Sequence, residues 1–513
     1  MQEEIKKAVD FVISEGARFA DIRLEKGYAT TLELRDGVFR EMSYGIDEGV
    51  GVRVLYKNSW GFSSSNELSK PRIKAAFEDA LRVGRALSLS KSESEKLESE
   101  KSESEKLESE KSELEKKREE EAVKMAGAKP RSDHFKLKPK INPEDVSVEE
   151  KKRLVKAAYK AATQHSPLVK SVSILYLDGY EEKTYADSEG CFVVTEMPAV
   201  FLRVRVVAKK GSVLQEGVES VGAVAGFEVV AEEGEAAKGV AAEGNPEVVG
   251  VKAADKAVRL LDAEQPPAGE FPVIMDSKLT GVFMHEALGH AAEADHVLCG
   301  ESILKDKLGE QVAYEGLTVA DDPTVAGSHG YYKYDDEGLR ARRTEIIKNG
   351  VLVSYLHTRE TAGRLEATPT ANARAADYSE VPLVRMSNTV VEAGSRAGAG
   401  RGWSFEEMLE GVRFGIYAKG MRGGQVDTVR GEFQFSAEEA FLIEKGRLTK
   451  RLKNVSLSGR TLEVLKEIDA VGQEKKRGSI GFCGKDGQEV PVSEFAPHVR
   501  VKRILVGGAA GGS

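Results

Sequence analysis

Residues 285–290 read His-Glu-Ala-Leu-Gly-His and set two imidazoles five positions apart in a stretch that otherwise has the character of a helix. At about 100° per residue, an ideal α-helix would turn two such rings roughly 140° apart, so they could not address one point. A π-type turn, whose repeat is five residues, would realign them, and Gly289 is the natural place for the backbone to widen. An apolar run, Val273 to Met275, ends at Asp276 and Ser277, which can accept the free N–H groups of a first helical turn. Val282, Phe283, Leu288 and Ala291 would form the core stripe of that helix. Yet three of the chain's eight histidines lie between 285 and 296, beside Glu286, Glu293 and Asp295. Charged groups seldom gather on an apolar helix without a use. Two neutral imidazoles and a carboxylate are what a hydrolytic zinc site needs: nitrogens for the ion and a base beside its water.

Two histidines leave such an ion short of the usual three protein ligands. By proximity Glu293 comes first, one turn past His290, with Asp295, His296 and the distant cysteines behind it. Cys299, between Leu298 and Gly300, reads as a packing residue, and Cys191 has no polar company. An odd number of cysteines, three in 513 residues, suits a reducing compartment better than a disulfide framework.

A chain of this length needs two or three cores. The opening residues place Ile5, Val9, Val12 and Ile13 on one face of an amphipathic helix, with no apolar core for a signal peptide. Short strands follow at Ala20 to Glu25, Thr30 to Arg35 and Gly49 to Tyr56, with turns at Lys26-Gly27, Asp36-Gly37 and Lys57-Asn58. A helix over 68–89 closes the first half. A second helix over 148–163, strands over 172–177 and 181–187 around a Gly179 turn, and a strand over 201–208 repeat the order, as a degenerate duplication would.

Between the halves, Lys-Ser-Glu-Ser-Glu-Lys-Leu-Glu-Ser-Glu occurs twice from Lys91 to Glu110 and decays through Glu121. Its ten-residue period spreads the leucines around a helix, which excludes a coiled coil and leaves a solvated single helix or disorder. This segment holds 13 acidic and 8 basic residues, so more than half of the net charge of −9 sits there. The remainder is nearly neutral, which argues against nucleic acid as the main partner. No run approaches the ~20 apolar residues of a membrane span. A helix from Val248 to about Leu261 and a Gln-Pro-Pro-Ala-Gly linker precede the histidines. Beyond them the chain turns β-rich and, with 51 glycines, full of tight turns. The fold expected is α+β: an N-terminal α/β domain with hairpins over 1–90 and 122–245, the charged insertion at 91–121, and a C-terminal β-rich domain over 246–513 carrying the metal-binding helix.

The His285–Asp295 stretch resembles the TldD/PmbA family of metallopeptidases, whose catalytic subunits carry H-E-x-x-x-H. The likeness continues through Asp187 to Gly190, Tyr334 to Gly338, Ala371 to Arg374, Arg385 to Asn388 and Gly481 to Gln488. These segments are weak singly and strong in this order. The resemblance implies that Cys483, in Cys-Gly-Lys-Asp-Gly-Gln, completes a Zn2+ site with His285 and His290, and that Glu286 is the base. It further implies a TldD-type subunit hydrolysing small or unfolded peptides, dimeric with itself or with a TldE/PmbA-like chain, while the cysteines and the opening helix themselves read as those of a cytoplasmic protein. A non-catalytic partner subunit and a zinc hydrolase of a non-peptide amide are the alternatives. His329 or Tyr334 would offer a second donor to an oxyanion, while Glu293, Asp335 and Asp336 would orient ligands or substrate.

Overall fold

The computed structural model describes residues 2–102, 123–231, 244–396 and 400–508. Its N-terminal part repeats one excursion. Helix α1 (Gln2–Ser14) leads into β1 (Phe19–Arg35), β2 (Val38–Tyr56), β3 (Ser59–Ser65) and α2 (Lys70–Ser102). After β4 (Ser132–Lys136) come α3 (Val148–Gln164), β5 (Val169–Asp187), β6 (Phe192–Lys210), β7 (Val213–Ala223) and α4 (Pro246–Leu260). The strands join one sheet in the order β3-β2-β1-β5-β6, with β4 and β7 both on β6. Two antiparallel meanders thus meet where β1 pairs antiparallel with β5, and the duplication expected from spacing is visible in the strand order.

Two glycines read as turns are something else. β1 runs unbroken through Lys26-Gly27 and β5 through Gly179. A Cβ at Gly27 would stand 2.3 Å from the Tyr180 carbonyl oxygen, and one at Gly179 would stand 2.7 Å from that of Tyr28. These glycines let the central strands of the sheet approach closely. Asp36-Gly37 does turn, both residues having positive φ. In α1, Ile5, Val9 and Val12 are buried while Ile13 points outward. α2 carries the backbone of the charged repeat as far as Ser102, and the rest of that repeat, 103–122, lies outside the described residues.

The helix α4, assigned above to the C-terminal domain, packs instead in the core of the second half. Its Val249, Ala253, Ala254 and Ala257 join Val155 and Ala158 of α3 and Val204 of β6. The chain leaves that core after Leu261. It then closes a barrel from β8 (Gly269–Met275) and the strands Phe414–Asp427, Glu432–Glu444, Val455–Arg460 and Val499–Gly508. A second sheet of six strands ends in Asn388–Val391, Gln488–Ala496 and, at its edge, Lys476–Lys485. Helix α5 (Ser277–Met284) is wedged between barrel and sheet, where Phe283 meets the rings of Phe433 and Phe435 edge-on at 5.1 and 6.0 Å. The fold is α+β, with the histidine-bearing segment at the junction of its C-terminal layers.

Charges tie this junction to the N-terminal sheet. Glu219 of β7 lies 2.9 Å from Lys256 of α4 and 3.0 Å from Lys278 of α5. Burial would raise the Glu219 pKa, but the two ammonium groups outweigh it and hold the carboxyl at about 2. A carboxyl depressed on folding stabilises the protein above its unfolded pKa, and that stability is lost as pH falls from about 4.5 toward about 2. Glu219→Gln is therefore expected to lower stability at pH 7 by about 2–3 kcal/mol. Denaturant unfolding at pH 7 and pH 3 checks this: the difference between variant and parent should shrink at the lower pH, and a constant difference would refute the linkage.

Candidate metal centre

Asp276 caps α5 by accepting a hydrogen bond from the Leu279 N–H at 2.8 Å, as its sequence position suggested. It also accepts one from Gly420 N–H at 2.9 Å, which fixes the start of the helix to the barrel. After Met284 the helix widens. Residues His285–Gly289 form a π-turn in which the His290 N–H donates to the His285 carbonyl. The two rings come to 5.3 Å between centroids, nearly perpendicular. Gly289 sits in ordinary right-handed helical conformation, so conformational freedom is not its use. A Cβ there would lie 2.0 Å from the Met386 sulfur, and the glycine is needed for space.

Each imidazole is held from behind. His285 Nδ1 is 3.1 Å from Thr389 Oγ1, and His290 Nδ1 is 3.1 Å from Glu293 Oε2. Cys483 faces the rings from the edge strand, its Sγ 3.5 Å from His290 Nε2. One ligand atom from each of His285, His290 and Cys483 lies within 4.8 Å of the others. Metal–ligand bonds of 2.0–2.3 Å in a tetrahedron put ligand atoms roughly 3.5 Å apart, so donor set and spacing suit zinc. Arg385, wholly buried, steadies the hairpin that carries Cys483 by donating to the carbonyls of Cys483 and Gln488.

Burial would raise the Cys483 thiol pKa, but His285 and His290 outweigh it and bring it down to about 4. Burial likewise opposes the His285 shift, which Cys483 and Glu286 carry up to about 9. Thiolate and imidazolium favour one another in this arrangement, and a bound cation would take the place of the imidazolium protons. Glu286 Oε2 lies 3.8 Å from His290 Nε2, with its side chain about one-third exposed to solvent.

Glu293, first in line by proximity, is behind His290 rather than among the three converging donors. It is buried, and although burial opposes this, His290 and Lys485 bring its pKa to about 2. His329 is also buried, stacked on Phe201 and edge-on to Phe482, with neither ring nitrogen hydrogen-bonded among the described residues. Burial and then Arg374 lower its pKa to about 3 and keep it neutral. Tyr334 donates its hydroxyl to Asp133, Asp336 meets Lys183 at 2.8 Å, and Asp335 accepts from three backbone N–H groups. Tyr334 and Asp336 thus join the C-terminal domain to the N-terminal sheet, while Asp335 braces its own loop.

Sequence reasoning missed Thr389, Lys485 and Glu494. Glu494 packs on α5 where Gly281 leaves room, one turn before His285, with Oε2 unpartnered among the described residues. Burial first, with Glu286 and Cys483 adding to it, raises its pKa to about 8. Its one signal was a lone acid in the strand Val-Pro-Val-Ser-Glu-Phe-Ala. Cys299, expected to pack, is exposed.

Models of PmbA/TldA metallopeptidases match the chain in three blocks: domain 1 over residues 20–84, the central domain over 141–261 and the C-terminal domain over 268–508. A metalloprotease of Methanocaldococcus jannaschii is 43% identical across 94% of this chain and 95% of its own length. A zinc metalloprotease TldD homolog of Saccharolobus solfataricus is 30% identical across 99% and 100%. Among solved structures, TldE from Thermococcus kodakarensis shares the fold with a TM-score of 0.72 at 18% identity, covering 98% of this chain and 100% of its own.

If Gly289 serves to admit Met386, Gly289→Ala should destabilise the protein by about 1–3 kcal/mol through overpacking. In a double-mutant cycle with Met386→Ala, the pair should cost less than the two single changes together. Strict additivity in unfolding measurements would show that this contact does not set the packing.

Proposed function

This chain belongs to the PmbA/TldD family of metallopeptidases, and from that premise we propose that it is a zinc-dependent, TldD-type catalytic subunit hydrolysing small or unfolded peptides. The observation that carries this reading is the convergence of His285, His290 and Cys483 beside the partly exposed Glu286. His285, His290 and Cys483 would hold the ion, with Thr389 and Glu293 fixing the imidazoles through their far nitrogens. When bound, zinc supplies Lewis-acid polarisation of the scissile carbonyl and acidifies a water. Glu286 takes the proton of the attacking water on its carboxylate and passes it to the leaving amine. For a second oxyanion donor His329 is favoured over Tyr334, whose hydroxyl is already engaged by Asp133.

The strand Lys476–Lys485 ends its sheet, so an extended peptide can add to that edge and pass Cys483. β2 offers a second open edge. β3 covers only its stretch from Val50 to Tyr56, and beyond it Met42, Tyr44 and Ile46 are exposed. Such an apolar edge supports assembly with another chain, either a second copy or a TldE/PmbA-like subunit. No helix among the described residues is long and apolar enough to cross a membrane. Together with three free cysteines, this supports a cytoplasmic site of action.

Metal analysis should find about one zinc per chain, lost in Cys483→Ala. Glu293→Ala should weaken binding by only about 10–100-fold, as for a residue that orients a ligand. Metal loss from Glu293→Ala with retention in Cys483→Ala would exchange their roles. Glu286→Gln should keep both zinc and fold while peptide hydrolysis falls by about 100-fold or more, assayed with and without a partner chain. A non-catalytic subunit would have no metal-dependent hydrolysis to lose, and a non-peptide amidase would leave peptides intact while cleaving a simple amide.

A further inference from the structure

A cleft of about 570 Å³ opens between β7, α4 and the first residues of the edge strand Lys476–Lys485. Its wall carries seven lysines and arginines against three glutamates, although the chain as a whole has a net charge of −9. The glutamates are already engaged, Glu219 and Glu438 by Lys256 and Glu216 by Arg205. Arg203, Lys252 and Arg422 enter no ion pair among the described residues. Arg203 is the telling one. It is half-buried over the Phe201 ring, its only side-chain hydrogen bond among the described residues is one of 3.4 Å to Ser220, and Glu489 acts on it only from beyond ion-pair distance. A guanidinium withdrawn from water without an anion is costly, which makes it a receptor for one.

Its position says which anion. Arg203 Nη2 lies 3.9 Å from where a Cβ on Gly481 would stand, and Gly481 precedes Cys483 by two residues, about 7 Å of extended strand. A peptide added along this edge would carry any carboxylate one or two residues from the metal centre onto the guanidinium fork, and more distant ones past Lys252 and Arg422. We propose that this cleft selects peptides bearing carboxylates, with Arg203 as the residue that reads the one nearest the metal centre. The inference rests on the peptidase reading of the same site. The chemistry is shared by an Asp or Glu side chain and by a peptide's C-terminal carboxylate.

The test uses the full-length, zinc-supplemented Glu286→Gln protein, which should not consume its ligand, and four forms of one unstructured peptide. They combine glutamate or glutamine side chains with a free or amidated C-terminus. Glutamate peptides are expected to bind about tenfold more tightly than their glutamine counterparts in low salt, with the ratio shrinking by 0.5 M salt. A preference that follows the free C-terminus instead assigns Arg203 to the terminal carboxylate. Arg203→Gln should bring the preferred ratio close to one, and Lys252→Gln, on the exposed face of α4, should reduce it without risk to the core. Equal binding of all four peptides in low salt, or a ratio unmoved by both substitutions, would overturn the proposal. Turnover of the same peptides by the parent protein is scored separately. Absent hydrolysis with intact carboxylate preference would count against the peptidase reading alone.

Discussion

Two imidazoles five residues apart must be made to share one point, and much of the C-terminal architecture answers that demand. A widened turn gives up regular helical hydrogen bonding, so packing has to hold it. Ala287, Leu288, Ala291 and Ala292 are all at most 1% exposed, and burying a leucine side chain alone contributes about 1.5–3 kcal/mol. Met386 fills the space beside Gly289 and would collide with anything larger there. Barrel and six-stranded sheet grip the helix from opposite sides, while Thr389 and Glu293 set the ring orientations. The convergence of His285, His290 and Cys483 is therefore a consequence of an apolar sandwich as much as of the polar residues themselves.

A second constraint fixes the N-terminal sheet against this sandwich. Glu337 accepts from the Arg359 backbone N–H and meets Arg53 at 3.1 Å, Arg53 pairs with Asp21, and Arg359 reaches Asp187 at 3.3 Å. Lys183 joins Asp336 at 2.8 Å and Glu25 at 3.2 Å. Buried ion pairs add little net stability, because desolvation offsets most of their attraction, but a misaligned pair is severely penalised. Such a network specifies relative position. It fixes β1, β2 and β5 of the N-terminal sheet against the segments that carry Asp336, Glu337 and Arg359.

What could be read from the residues alone follows from the range of the forces involved. The cap at Asp276, the π-turn and the Asp36-Gly37 hairpin are local, and each appears where its residues indicated. Gly27 and Gly179 misled because a glycine that admits a neighbouring strand has the same signature as one that turns the chain. α4 misled because an apolar stripe does not say which core it enters. No spacing rule joins Cys483 to His290 across 193 residues. That pairing was legible only through family resemblance, whereas Glu293, close in sequence, drew the ligand role by proximity. Tyr334 to Gly338 looked like site residues because buried acids cluster both at active sites and at domain junctions.

The acid-rich segment after His290 raises the question of whether one ion or two belongs here. Glu293, Asp295 and His296 offer donor atoms close enough together to hold a second cation. The structure fills that place with a side chain. Lys485 sets its ammonium 3.1 Å from Glu293 and 2.7 Å from Asp295, and it also donates to the Val384 carbonyl at 3.1 Å. A divalent ion would have to expel a buried ammonium held by three oxygens and leave it unpaired, which the interior strongly penalises. Lys485 also lies two residues beyond Cys483 in the same strand. The charge that occupies this position thus ties the thiol-bearing hairpin to the histidine-bearing helix, and the one arrangement both brings His285, His290 and Cys483 together and fills the neighbouring acidic cluster with an ammonium group.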